Sequence, residues 1–148
     1  MMGTHSSLRI SAELKNLALV RRFIEDAGAA LSADSEATLD LLQAVDESVT
    51  NIVVHGYRGQ PGEIEIELQR EGDQLLVRLR DQAPPFDPTA SPPPDINLPL
   101  DQRQIGGMGI YMARKLTDRM THRLTPQGGN ELTLVKTIIP TQAKGGTA

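Results

Sequence analysis

The chain has 148 residues, a formal net charge of −4, no cysteine, no tryptophan, and only two phenylalanines and two tyrosines. That length suits one domain with a core of its own, and the missing thiols exclude disulfides and thiolate metal sites and fit a reducing cytoplasm. The acidic balance, with few aromatic rings and no basic cluster, argues against nucleic acid as a direct partner; no apolar run reaches the length of a membrane span, and MMGTHSSLRI lacks the blocks of a signal peptide.

Residues 8–11 read as a short strand. Ser11 can cap a helix from Ala12, with Leu14, Leu17, Val20, Ile24 and Ala27 at helical spacing and Gly28 as the stop. Ser32, Asp34 and Ser35 then offer alternative N-caps for the next helix. The periodicity predicts that helix over 39–57. Leu42, Val45, Val49, Ile52 and Val53 share one arc, while Glu47, Asn51 and His55 stack at i, i+4 and i+8 on another. Such a polar stack can be a solvated surface or the floor of a pocket. Asp46 projects into the apolar arc, as a structural hydrogen-bonder would.

After the break at Gly59-Gln60-Pro61-Gly62 comes a hairpin. Ile64, Ile66 and Leu68 alternate with glutamates, Glu71-Gly72-Asp73 turns the chain, and Leu75, Val77 and Leu79 alternate with polar residues. Asp81 has the parity of Val77 and Leu79, so it points inward at the end of its strand. An inward carboxylate is costly unless something pairs with it or binds there. Residues 82–105 hold most of the prolines and show no periodicity, which is typical of a lid, a binding loop or a disordered segment. Gly106-Gly107-Met108-Gly109 then opens a helix over 110–118, and strands over 119–125 and 131–139 close the chain. Antiparallel strands with helices on one face make an α+β two-layer sandwich.

A glycine turn entering a helix lets a ligand approach unpaired N–H donors at the positive end of the helix dipole, which suits phosphate, although such turns also serve packing. It is no Walker A loop, because no Lys-Ser or Lys-Thr follows. His122-Arg123-Leu124 is no kinase catalytic loop of the eukaryotic type, because the required Asp is Leu124.

In combination these pieces are far more specific. Glu-x-x-x-Asn on a helix, an inward Asp closing a strand, a proline-rich lid and Gly-x-Gly at a helix start resemble, in that order, the nucleotide site of the GHKL ATPase superfamily, shared by gyrase, histidine kinases and MutL. The stretches AVDESVTNIVVHGY from Ala44, DQAPPFDP from Asp81 and GGMGI from Gly106 look like the small bacterial anti-sigma factors that are also serine kinases, the RsbW type. The resemblance implies a histidine-kinase-like ATPase (Bergerat) domain over 6–140 with a mixed, mostly antiparallel sheet, an ATP lid over 82–105 and a flexible tail over 141–148.

It also implies residue roles. Asn51 would hold Mg²⁺ against the triphosphate of ATP, a neutral amide sufficing because the metal draws charge compensation from phosphate and water. Glu47 would be the general base. Asp81 would accept the adenine amino group, Gly106, Gly107, Met108, Gly109 and Ile110 would form the phosphate corner, and Phe86 would pack the base of the lid. His55 either approaches the phosphates or is a surface histidine at a helix end. Thr133 either assists adenine or is an ordinary strand residue. Ala83 departs from the family's Asp-x-Gly-x-Gly pattern, and the Pro-Pro-Phe-Asp-Pro run reads as a mark of the branch. The implied function is a cytoplasmic, homodimeric protein serine/threonine kinase that uses ATP and Mg²⁺, phosphorylates an anti-anti-sigma (STAS-type) antagonist and sequesters a sigma factor. The alternative is a nucleotide-gated clamp with little kinase activity; retention of both Glu47 and Asn51 favours the kinase.

Overall fold

The computed structural model describes residues 5–90 and 107–139. Five strands, β1 (His5–Ser11), β2 (Glu63–Glu71), β3 (Gln74–Asp81), β4 (Arg119–Leu124) and β5 (Asn130–Thr137), form one sheet in the order β1-β2-β3-β5-β4. All of its pairings are antiparallel, so the mixed character expected of the sheet is absent among the described residues. Helices α1 (Leu17–Ala30), α2 (Ser35–Asn51) and α3 (Gly107–Leu116) complete the chain, and their apolar stripes pack with the inward face of the sheet into one core.

The register explains the two faces, because residues directly opposite in a sheet project to the same side. Ile64, Ile66 and Leu68 face Asp81, Leu79 and Val77 across β2 and β3. Those β3 residues in turn face Asn130, Leu132 and Leu134 of β5. The apolar members of this set are at most 6% exposed. The other face is a lattice of charges. Arg80 donates to Glu65, Glu67 and Glu131 at 3.1, 3.0 and 2.7 Å, and Arg123 reaches Glu131 at 2.6 Å. Burial alone would raise the Glu131 pKa, but the hydrogen bonds from Arg123 and Arg80 outweigh it and hold the carboxyl below its ordinary range.

Local chemistry moves several boundaries. Ser11 does not cap a helix: β1 runs through it, its hydroxyl donates to Glu13 at 2.7 Å, and Asn16 donates to its carbonyl at 2.9 Å. A 3₁₀ turn (Leu14–Asn16) follows, and α1 passes Gly28 to end at Ala30. Among the candidate caps of α2, Asp34 takes the place. One of its oxygens accepts the Ala37 N–H at 3.0 Å, and the other accepts the Ile139 N–H at 2.8 Å, tying the end of the sheet to the start of the helix. The buried stripe of α2 includes Leu41 and Ala44, whereas Leu42 is only half-buried. Asp46 leaves the apolar arc for Arg21 of α1, in a two-pronged pair at 2.9 and 3.0 Å.

The last turns of the central helix, Ile52–Tyr57, are wound as a π-helix that ends on Arg58 in the left-handed region. There Tyr57 acts as a clamp. Its hydroxyl donates to the Glu63 carbonyl at 2.7 Å and accepts the Gln82 N–H at 2.8 Å, joining the first residue of β2 to the residue after Asp81. A Cβ on Gly62 would overlap the Tyr57 ring. Gly62→Ala is therefore expected to cost about 1–3 kcal/mol through overpacking; chemical denaturation measures it, and an unchanged midpoint would show that the ring is not held there.

Candidate functional site

A cleft with about 500 Å³ of empty space, part of it open to solvent, lies between the π-wound end of the central helix, the carboxyl end of β3 and the first turns of α3. The central helix contributes Ser48, Asn51, Ile52 and Gly56. Asp81, Ala83, Pro84, Phe86 and Pro88 come from the end of β3 and the segment beyond it. Ile110 of α3 and the inward residues of β4 and β5 complete the wall. Asn51, Asp81 and Ile110, far apart in the chain, thus share one cavity.

Asp81 is 4% exposed. One carboxylate oxygen accepts the Ala83 N–H at 2.9 Å and the Asn130 amide at 3.0 Å. No buried side-chain nitrogen or oxygen among the described residues lacks a partner, so its other oxygen opens onto the cavity as a free acceptor. Burial pushes the Asp81 pKa up; the bonds from Asn130 and Ala83 and the nearby His122 pull the other way without cancelling it. An acceptor in a largely apolar recess selects a ligand with a donor at its edge, such as the amino group of a flat heterocycle.

Glu47 lies one helical turn before Asn51 and is exposed. Its carboxylate rests against the start of α3, where a Cβ on Gly109 would come within 2.7 Å of Glu47 Oε2. The absent side chain at Gly109 is what allows the carboxylate and the helix N-terminus to meet. The first N–H groups of α3 have no intrahelical acceptor. Gly107 and Met108 form the first turn of α3; Gly106 and the lid from residue 91 onward lie outside the described residues, as does the tail expected over 141–148.

Two expected site positions fall elsewhere. His55 is not among the residues that line the cavity; within the π-wound turn it is Gly56 that reaches the wall. Thr133 faces Arg78 and Thr121, on the charged side of the sheet away from the cavity. The polar side chain that β5 sends inward is Asn130, directly opposite Asp81. The parity that marks Asp81 also marks Asn130, which shares it with Leu132 and Leu134. Phe86, expected to pack the lid base, is 47% exposed and lines the cavity mouth, its N–H held by Asn130 Oδ1 at 3.0 Å.

Because the folded protein raises the Asp81 pKa, ionising this group works against the fold. The parent should lose stability relative to Asp81→Asn as the pH rises through that raised pKa, and the difference should then stay level. At neutral pH Asp81→Asn is expected to be as stable as the parent or more so. Urea denaturation across the acid range measures this, and marked destabilisation of the variant at neutral pH would contradict it.

Residues 10–136 match the model of the histidine kinase-like ATPase domain. A serine-protein kinase RsbW of Listeria monocytogenes serovar 1/2a is 30% identical over 117 residues, spanning 76% of this chain and 74% of that protein. An RsbW of Bacillus cereus strain B4264 is 28% identical over 115 residues, 75% of this chain and 72% of that one. Among solved structures, the RsbU and RsbW domains of a Mycobacterium tuberculosis protein align with a TM-score of 0.62 at 21% identity; they cover 93% of this chain, which spans 34% of theirs. That likeness supports the fold. With most of the chain matched by the domain model and its relatives, the protein belongs to the histidine kinase-like ATPase family and, within it, to the RsbW serine-protein kinases.

Proposed function

We propose that the cavity binds Mg·ATP and that the protein transfers the γ-phosphoryl group to a serine of a STAS-type anti-anti-sigma antagonist, while also sequestering a sigma factor. The observation that carries this reading is the convergence of Asn51, Asp81 and the start of α3 on one cavity, with the Glu47 carboxylate seated at Gly109. The free Asp81 oxygen is an acceptor for the adenine amino group. Ala83 and Phe86 form the wall beside it, and the N–H donors at the start of α3, from Gly107 to Ile110, would meet the phosphates.

Bound ATP and its metal supply the transferable group and most of the charge compensation. Asn51 fits the metal through its amide oxygen. Phosphate oxygens and water would supply most of the remaining ligands of the Mg²⁺. Glu47 takes the proton of the attacking serine hydroxyl, so that the new P–O bond forms as ADP leaves. Its exposed place beside α3 lets a partner's serine approach. The phosphate adds about two negative charges to the antagonist, which would disrupt its contact with the kinase. No helix among the described residues is long and apolar enough to cross a membrane. A cytoplasmic homodimer paired through β1 and α1 completes the proposal.

With labelled ATP and an antagonist, Glu47→Ala is expected to lower transfer about 10²–10⁴-fold while nucleotide affinity by calorimetry stays within a few fold. ATP binding without transfer by the parent would instead leave a nucleotide-gated clamp, and absence of adenine-nucleotide binding would overturn both. Gly109→Ala should lower transfer at least about tenfold with little loss of stability, because the added methyl displaces only the far end of the Glu47 side chain; full activity would show that this seat does not matter.

A further inference from the structure

His122 lies on the edge strand β4, opposite Leu132, with its side chain 7% exposed and at the cavity wall. Its Nε2 is 2.8 Å from Asn130 Oδ1. The same oxygen accepts the Phe86 N–H, while Asn130 Nδ2 faces Asp81 Oδ1 and the carbonyls of Ala83 and Pro84 at 3.0, 3.1 and 3.2 Å. Only one orientation of the amide satisfies these partners: oxygen toward Phe86, nitrogen toward Asp81 and the carbonyls. An amide oxygen cannot donate, so the proton of this contact belongs to His122 Nε2. On the other side of the ring, Nδ1 faces Asp87 Oδ1 at 3.8 Å. Asp87 is itself held in the roof by the Thr89 N–H at 2.8 Å and the Thr89 hydroxyl at 2.5 Å.

The imidazole is therefore bonded to the segment that roofs the cavity through Asn130, and its other nitrogen stands 3.8 Å from Asp87 further along that segment. A histidine that merely filled space would need neither contact. We propose that His122 is a positioning residue for the nucleotide site, which through Asn130 holds the Asp81 carboxylate and the 83–86 turn in the geometry that receives the base. It acts on affinity and leaves the phosphoryl chemistry at Glu47 alone. The proposal rests on the reading of the cavity as an ATP site, and its test separates the two.

Three full-length variants carry the test. In His122→Gln the side-chain amide nitrogen reaches about as far as Nε2, in His122→Asn only as far as Nδ1, and in His122→Leu no donor remains. Hydrogen–deuterium exchange of the ligand-free proteins needs no nucleotide. The Ala83 and Phe86 amides should exchange about tenfold faster in His122→Leu and His122→Asn, with the amides of Val77 and Leu79 in the β3 ladder unchanged and His122→Gln near the parent. The ATP KM should rise about tenfold in the first two variants with kcat within twofold, and His122→Gln should restore it. Unchanged exchange at Ala83 and Phe86 overturns the proposal, as does faster exchange with an unaltered KM. Should the leucine variant be globally loosened, so that the β3 amides also speed up, the polar asparagine and glutamine variants decide. A parent that binds no adenine nucleotide overturns the ATP reading itself and with it the nucleotide role of His122, whatever the exchange shows.

Discussion

A carboxylate at the inner end of a central strand constrains much of what surrounds it. Asp81 takes a position that, by its parity with Val77 and Leu79, belongs to the core. An unpaired charge there would be strongly unfavourable, and the fold answers without a cation. A backbone N–H two residues on and the amide of Asn130, directly across the β3–β5 ladder, share one oxygen. The other oxygen is left to the cavity. Because Asn130 also gathers the Ala83 and Pro84 carbonyls and the Phe86 N–H, one side chain fixes both the carboxylate and the path of the chain as it leaves the sheet. The proline-rich segment begins from a defined anchor. Tyr57 reinforces it from the other side by binding the Gln82 N–H.

The helical layer places the remaining groups through packing. Asp34 pins the start of α2 to the end of the sheet, and the Asp46–Arg21 pair joins α2 to α1 on the side away from the cavity. With α2 so fixed, Asn51 faces inward, and the π winding that follows swings Gly56 into the wall next to Ala83, where a Cβ on Gly56 would come within 3.2 Å of the Ala83 methyl. The alanine at a position where the superfamily pattern has glycine is thus accommodated against a glycine on the opposite wall. One turn before Asn51, outside the cavity lining, Gly109 lets α3 approach the Glu47 carboxylate closely. Pi-helical turns are poor in regular packing, and they recur where a helix must present residues out of phase with its own stripe.

The open face of the sheet solves a different problem. With helices on one side only, the other side is covered by alternating arginines and glutamates that bind one another across β2, β3, β5 and β4. Such a lattice keeps the face polar and covers backbone and aliphatic stems, as the 5% exposure of Glu131 shows. It also explains why Thr133, at a place in the chain that resembles an adenine-side hydroxyl, belongs to the ionic face.

Pattern in the chain was enough for the class of fold, the hairpin and the inward parity of Asp81, because each depends on local periodicity of 2.0 or 3.6 residues. Motif resemblance was enough for the family, since the order Glu-x-x-x-Asn, Asp, Gly-x-Gly is carried by the chain itself. The pairing of Asp46 with Arg21 and of Asp81 with Asn130 was decided only in three dimensions, because these contacts join residues 25 and 49 positions apart through helix packing and strand register. Where the central helix changes its winding, and so whether His55 or Gly56 reaches the cavity, is a property of the assembled layers, whereas Thr133, out of phase with Leu132 and Leu134, takes the outer face by strand alternation alone.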